Sequence, residues 1–120
     1  MQRTVTLQFL GHASFKLITP DDKIILIDPW FTGNPVCPEA LKKQERADLV
    51  LITHGHEDHF DADLPALVER TGAQVVSPMA VRVYLNQQGV HNTEPMNAGS
   101  PVSVRGIPVT ITFAHHGSYV

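Results

Sequence analysis

Four side chains that commonly bind metal ions lie within six residues of one another, in the hexapeptide His-Gly-His-Glu-Asp-His at positions 54–59. They are His54, His56, Asp58 and His59. Imidazole and carboxylate groups together favour zinc, and they also bind manganese and iron. A polar loop that only caps the next helix would have to desolvate these groups without an ion, which is costly. The hexapeptide therefore predicts a metal site, and it favours a metal-dependent hydrolase.

The hexapeptide follows a short apolar segment that ends in a threonine. Residues 49–52 are continuously apolar, which is typical of a strand buried on both faces. Such a strand fixes the backbone while the next loop can turn side chains inward, so His54 and His56 are expected to reach one ion. Asp58 and His59 follow too closely to complete the same tetrahedron, which predicts a second ion or a bridging water.

Length and composition limit the fold and the partners. With 120 residues, of which 42% are hydrophobic, the chain is predicted to form a single domain over residues 1–120. A net charge of −3 without a basic cluster predicts no nucleic-acid partner, and it is compatible with the expected small-molecule substrate, including a nucleotide or another small phosphate ester. Cys37 is the only cysteine, so no disulfide forms within the chain. With no apolar run near the roughly 18 residues that cross a bilayer, and no leader pattern, we expect a cytoplasmic protein without a membrane partner.

The apolar periodicity predicts strands in the first and last thirds of the chain and alternating strands and helices between them. Strands are predicted at residues 4–9, 15–18, 23–27, 49–52, 74–77, 102–105 and 107–113. Helices are predicted at residues 41–46, 61–70 and 78–89. The proline and glycine content of residues 30–38 predicts an irregular loop. Strands flanked by helices indicate a layered α/β or α+β fold.

The segment Thr-His-Gly-His-Glu-Asp-His resembles the signature of the metallo-β-lactamase superfamily, which is His, any residue, His, any residue, Asp, His at the end of a strand. Four other segments resemble a little-characterised branch of metal-dependent hydrolases in that superfamily, and they occur in the family's order: residues 11–15, 27–35, 96–99 and 114–116. The resemblance implies an α/β fold, the αββα sandwich of the superfamily. It also implies that this chain holds only the N-terminal βα half, with a mixed sheet and flanking helices.

The resemblance implies a ligand set as well. By position, the first ion would be held by His54, His56 and His116, and the second by Asp58 and His59. The superfamily's later aspartate and final histidine have no counterpart, because no Asp follows Asp63 and no His follows His116. One zinc ion is therefore expected, with Mn²⁺ or Fe²⁺ as alternatives, and a second ion would be held weakly.

Three positions keep two interpretations each. The family pattern Ala, any residue, His places His116 in the ligand position, and His115 remains the alternative because neighbouring side chains of a strand point to opposite faces. Asp28 resembles an acid of the family that is hydrogen-bonded to a metal-bound histidine or faces the metal cavity, and otherwise it forms only an Asp-Pro turn. His12 either contacts substrate and orders the site or is a hydrogen-bonded structural histidine.

The predicted activity is hydrolysis of an ester, amide or phosphoester by a metal-activated water, with Asp58 as the catalytic residue that orients this water or accepts its proton. The rival hypothesis is a noncatalytic metal-binding or assembly half-domain. Without a partner sheet, the apolar face that carries Val109, Ile111 and Phe113 should be exposed. We therefore expect a homo-oligomer or a missing C-terminal half.

Overall fold

Six strands form one mixed sheet in the computed structural model, which describes residues 3–117. Their order in the sheet is their order in the chain: β1 (Thr6–Gly11), β2 (Ser14–Ile18), β3 (Ile24–Ile27), β4 (Leu49–Leu51), β5 (Gln74–Pro78) and β6 (Thr93–Met96). The first three strands pair antiparallel through short turns, as the sequence predicts. From β3 to β6 the pairing is parallel, because helices and long loops return the chain to the same edge.

The two faces of the sheet are covered by different elements. Three helices, α1 (Glu39–Lys42), α2 (Leu64–Thr71) and α3 (Met79–Gln87), lie in the connections between strands. Apolar side chains of α2 and α3 join one face of the sheet in the larger core. A hairpin of β7 (Val102–Val104) and β8 (Ile107–Val109) packs on the other face in a smaller core. The predicted α/β class, a mixed sheet with flanking helices, is confirmed. No helix in residues 3–117 is long and apolar enough to cross a bilayer.

The exposed apolar surface lies only partly where it was predicted. Val109 and Ile111 are half-buried, because they pack with the hairpin against the second face of the sheet. Phe113 is 76% exposed, and an apolar stripe of Leu7 and Phe9 on the edge strand β1, with Val5 just before this strand, is 59–61% exposed. Self-association of the chain stays a prediction, which light scattering tests.

Two strands differ from the sequence prediction. The segment Thr-Glu-Pro-Met forms β6 at the edge of the sheet, although its polar residues and its proline do not follow a strand pattern. A proline is tolerated there because an edge strand leaves one side of its ladder unpaired. The last strand was predicted at residues 107–113, but β8 ends at Val109, and Ile111 forms only an isolated bridge with Ala98.

The irregular loop between β3 and α1, residues 28–38, runs along the rim of the sheet that carries the hexapeptide. We call it the rim loop. Ser14 anchors its start, because its Oγ donates to the carbonyl of Asp28 at 2.7 Å and accepts from the N–H of Trp30 at 3.0 Å. Asn34, fully buried inside the loop, donates from Nδ2 to the carbonyl of Gly11 at 3.2 Å. These bonds fix the rim loop to the β1–β2 hairpin.

Asp61 anchors the other side of the rim loop. Its Oδ1 accepts the backbone N–H groups of Phe31 at 2.8 Å and Thr32 at 3.0 Å. The helix predicted to begin at Asp61 begins instead at Leu64, and Asp61 lies in the turn before it. Burial raises the pKa of Asp61 above its ordinary value, although the two N–H donors act in the opposite direction.

We expect D61A to lower the free energy of unfolding by about 2 kcal/mol, because two loop N–H groups lose their acceptor. The D61N variant keeps an acceptor oxygen and carries no buried charge, so it should cost less than about 1 kcal/mol. Since folding raises the pKa of Asp61, its contribution to stability declines as pH rises through that pKa, and D61N should remove this part of the pH dependence. Urea unfolding of the three proteins measures both effects. Equal losses in D61A and D61N would contradict the anchoring role.

Candidate metal centre

Three histidines from distant parts of the chain meet at one edge of the sheet. His54 and His56 follow β4, and His116 arrives from the segment after β8. The Nε2 atom of His116 lies 3.1 Å from Nε2 of His54 and 3.1 Å from Nδ1 of His56. Two ligands of one tetrahedral zinc ion, each bonded at about 2.0–2.1 Å, are about 3.3 Å apart. The spacing and the chemistry of this first group therefore fit a zinc ion.

A second group lies beside the first and consists of His12, Asp58 and His59, whose ligand atoms are all within 4.8 Å of one another. The two oxygens of Asp58 face different partners. Oδ1 is 3.7 Å from Nε2 of His59, and Oδ2 accepts a hydrogen bond from Nε2 of His12 at 2.9 Å. This hydrogen bond is the main reason why the pKa of Asp58 lies below its ordinary value. His12 has a left-handed backbone, with φ 59°, in the turn between β1 and β2.

The buried residue Asp28 connects the two groups. Its side chain is buried, and its backbone is left-handed, with φ 46°, which is uncommon for an aspartate and marks a constrained position. Oδ1 accepts the N–H of Thr53 at 2.7 Å. Oδ2 lies 2.7 Å from Oγ1 of Thr53 and 2.8 Å from Nδ1 of His59. The buried carboxylate of Asp28 therefore holds Thr53 and His59 in place through hydrogen bonds. Asp28 does more than form an Asp-Pro turn.

Burial has an electrostatic effect on the first group. The pKa of His54 is lowered, first by desolvation and then by the neighbouring imidazoles of His59 and His116. A neutral imidazole is the form that binds a metal ion. The environment of His54 therefore favours its ligand form at neutral pH.

A cleft of about 880 Å³ opens beside the histidines. Three aromatic side chains line it, from Trp30, Phe60 and Tyr84, and His56 and Asp58 lie in its wall. Trp30 also contacts the ring of His12 edge-on, with the ring centroids 5.3 Å apart. The rim loop therefore carries one wall of the cleft, and a molecule in the cleft would lie against candidate ligands of both groups.

A family model described as a beta-lactamase superfamily domain matches residues 23–120. This chain belongs to that superfamily. The histidine and aspartate pattern of the hexapeptide matches the signature that the sequence analysis compared with this superfamily, and it begins at His54, three residues after β4 ends at Leu51.

Relatives in the superfamily include proteins named as metal-dependent hydrolases. One from Rubrobacter xylanophilus is 45% identical over 93% of this chain and 46% of its own length. Another from Chloroflexus aurantiacus is 43% identical over 98% of this chain and 50% of its own length. The chain spans about half the length of the curated relatives it matches. The predicted resemblance to this branch, over half of its length, is confirmed.

Solved structures agree with the fold. Igni18, a metallo hydrolase of the archaeon Ignicoccus hospitalis, superimposes with a TM-score of 0.80 at 36% identity, over 96% of this chain and 51% of that one. The β-hydroxylase CmlA of Streptomyces venezuelae gives a TM-score of 0.72 at 21% identity, over 95% of this chain and 25% of its own. At that identity the likeness to CmlA concerns the fold alone.

The structure of this superfamily chain brings together the site residues that the sequence singled out. His54, His56 and His116 form the first group, Asp58 and His59 join His12 in the second, and Asp28 contacts His59. His115, the alternative to His116, is exposed and contacts the ring of Phe113 instead. Metal binding by any of them stays a prediction.

Two residues of the site were missed as functional candidates. The sequence assigns no role of their own to Thr53, which ends the apolar segment and begins the signature segment, or to Trp30, which lies in one of the family segments. A threonine directly before the first histidine is the one signal in the sequence for a hydroxyl beside a ligand. Nothing in the sequence brings Trp30 to the cleft, because its position depends on how the rim loop folds back.

Proposed function

We propose that this chain carries the metal centre of a cytoplasmic, zinc-dependent hydrolase that cleaves an ester, amide or phosphoester bond of a small molecule. The observation that carries this proposal is the approach of Nε2 of His116 to 3.1 Å from a ring nitrogen of both His54 and His56. Three imidazoles leave the fourth tetrahedral position open, which is the arrangement of catalytic zinc. The names of the relatives support the same reaction class.

Asp58 is the residue of this chain that we place in the catalytic role. It lines the same cleft as His56, and the hydrogen bond from His12 favours its ionised form. A carboxylate in this position orients a water molecule or accepts its proton. A divalent ion, when bound, would supply Lewis-acid chemistry and lower the pKa of a coordinated water. His12 then acts by holding the carboxylate of Asp58 in place.

The cleft is the substrate site in this proposal. Its aromatic walls favour an apolar group next to the bond that is cleaved. Its other charged residues, Glu57 and Asp61, are acidic, and no lysine or arginine lines it in the described part of the chain. These walls favour a substrate that places an apolar group in the cleft and carries no negative charge there, with any phosphoryl group at the metal.

The second group supports weaker binding of a further ion. His59 and Asp58 offer one ligand atom each at a separation of 3.7 Å, while Oδ2 of Asp58 is occupied by His12. Two ligands hold a cation less firmly than three. One zinc ion per chain is therefore the expected stoichiometry at low metal concentration.

The test is turnover of a model ester by the zinc-loaded chain, with metal content measured in parallel. We expect turnover to fall at least roughly 100-fold in H56A, which lacks a ligand, and in D58N, which cannot accept a proton. Zinc content should fall in H56A and be largely kept in D58N. Circular dichroism confirms that both variants fold.

H91Q is the matched control, because His91 is exposed and lies in a segment outside both groups. Unchanged turnover in H56A and D58N would reject the proposal. Zinc bound by this chain without turnover, while the full-length relative from Rubrobacter xylanophilus is active, would instead identify this chain as the noncatalytic metal-binding module.

A further inference from the structure

We propose that Thr53 is a positioning residue that relays the buried carboxylate of Asp28 to His54 and so fixes which nitrogen of His54 faces the metal. This inference deepens the proposed function and rests on it for the role of the metal. The observation behind it is a continuous set of short contacts. Oγ1 of Thr53 lies 2.7 Å from Oδ2 of Asp28 on one side and 2.8 Å from Nδ1 of His54 on the other.

Counting protons along this set gives one arrangement. A carboxylate of Asp28 only accepts hydrogen bonds, so the single hydroxyl proton of Thr53 is donated to Oδ2. The oxygen of Thr53 then offers a lone pair to His54, and Nδ1 of His54 must carry the ring proton that is donated to it. In a neutral imidazole the other nitrogen is then unprotonated. Nε2 of His54, the atom that lies near His116, is therefore left as the metal-binding atom.

The same carboxylate fixes a ligand of the second group directly. Nδ1 of His59 lies 2.8 Å from Oδ2 of Asp28 and donates its proton to it. Nε2 of His59, which faces Oδ1 of Asp58 at 3.7 Å, is then unprotonated. Asp28 thus sets the tautomer of one histidine in each group, but it reaches the first group only through the hydroxyl of Thr53.

The backbone around this relay is held in place. The N–H of Thr53 donates to Oδ1 of Asp28 at 2.7 Å, and the N–H of Asp28 donates to the carbonyl of Leu51 at 2.8 Å. These bonds connect the end of β3 with the end of β4, next to the segment that carries His54 and His56. The left-handed backbone of Asp28 is strained, and such a network of hydrogen bonds can hold a strained backbone in place at a functional site.

The experiment compares T53V, which has the same shape without the hydroxyl, with T53S, which keeps it. Long-range ¹H–¹⁵N spectra of the metal-free proteins at pH 8 report which ring nitrogen of each histidine is protonated. We expect His54 to be protonated on Nδ1 in the wild type and in T53S, and to become a mixture of tautomers in T53V. His59 should stay protonated on Nδ1 in all three, because its bond to Asp28 does not involve Thr53.

Zinc affinity provides the second measurement. Removing a group that orients a ligand typically weakens metal binding about 10- to 100-fold, so T53V should bind the first zinc ion roughly 10-fold more weakly, and T53S should bind it like the wild type. A mixed His54 tautomer in the wild type, or an unchanged tautomer and affinity in T53V, would overturn the proposal. If the tautomers follow the expectation and no variant binds zinc, the relay is supported and the proposed function fails.

Discussion

Replacing His116 with alanine is expected to weaken binding of the first zinc ion by roughly 100- to 1000-fold. Apparent binding free energies of zinc in four-ligand protein sites are about 10–16 kcal/mol, so one protein ligand accounts for about 3 kcal/mol. His116 is the group that lies between the other two histidines, 3.1 Å from a nitrogen of each. In H116A a water molecule can take this position, but the site then has only two ligands that the protein holds in place. Competition with a coloured chelator measures the affinity.

The neighbouring residue provides a matched control. H115A removes an imidazole one position away that is exposed and contacts only Phe113 among the aromatic rings of residues 3–117. We expect its zinc affinity to equal that of the wild type. Loss of affinity in H115A with normal binding in H116A would show that the alternative assignment of the late ligand is the correct one.

The second large effect is expected at Gly11, where an added methyl group has no room. A Cβ atom at this position would lie 2.9 Å from the backbone N of Cys37 and 2.9 Å from both C and O of Val36. Gly11 also has φ +107°, a conformation that residues with a side chain rarely adopt. We expect G11A to lower the free energy of unfolding by at least about 3 kcal/mol, the sum of backbone strain and overpacking. Urea unfolding monitored by circular dichroism measures it.

Gly33 separates the two causes. It lies in the rim loop, which Gly11 approaches from β1, and it has φ +84°, but no atom is within 4 Å of a Cβ built there. G33A therefore carries the strain without the contact and should cost only about 1 kcal/mol. Similar losses in G11A and G33A would contradict a role for the close approach of Gly11 to the backbone at Val36. In G11A the rim loop must also move away from the β1–β2 hairpin. The fluorescence of Trp30 in the folded protein should therefore differ from that of the wild type.

The sequence was sufficient for the parts of the site that depend on neighbouring residues. His54, His56, Asp58 and His59 are adjacent in the chain, and the apolar residues before them indicate a strand whose end fixes the backbone. The turn that carries His12 and the end of β3, which Asp28 directly follows, were also predicted, since short strands with turn residues between them leave a clear pattern. Their roles stayed open because spacing along the chain does not give distances between side chains.

Other features could not be derived from local patterns. β6 has no strand pattern of its own, and it exists because its backbone pairs with β5. The start of α2 at Leu64 follows from the use of Asp61 as an acceptor for the rim loop, a contact between residues 30 positions apart. The half-buried state of Val109 and Ile111 depends on the hairpin folding back on the sheet.

By itself the sequence predicted a metal site from the types and spacing of its residues, and its resemblance to the superfamily predicted the fold. Only the tertiary structure decided that His116 rather than His115 joins His54 and His56, and that the carboxylate of Asp28 reaches two histidines. Those facts are distances between residues far apart in the chain. Such distances are set by how the sheet, the rim loop and the segment after β8 pack together, and this packing depends on the whole core and not on any single segment.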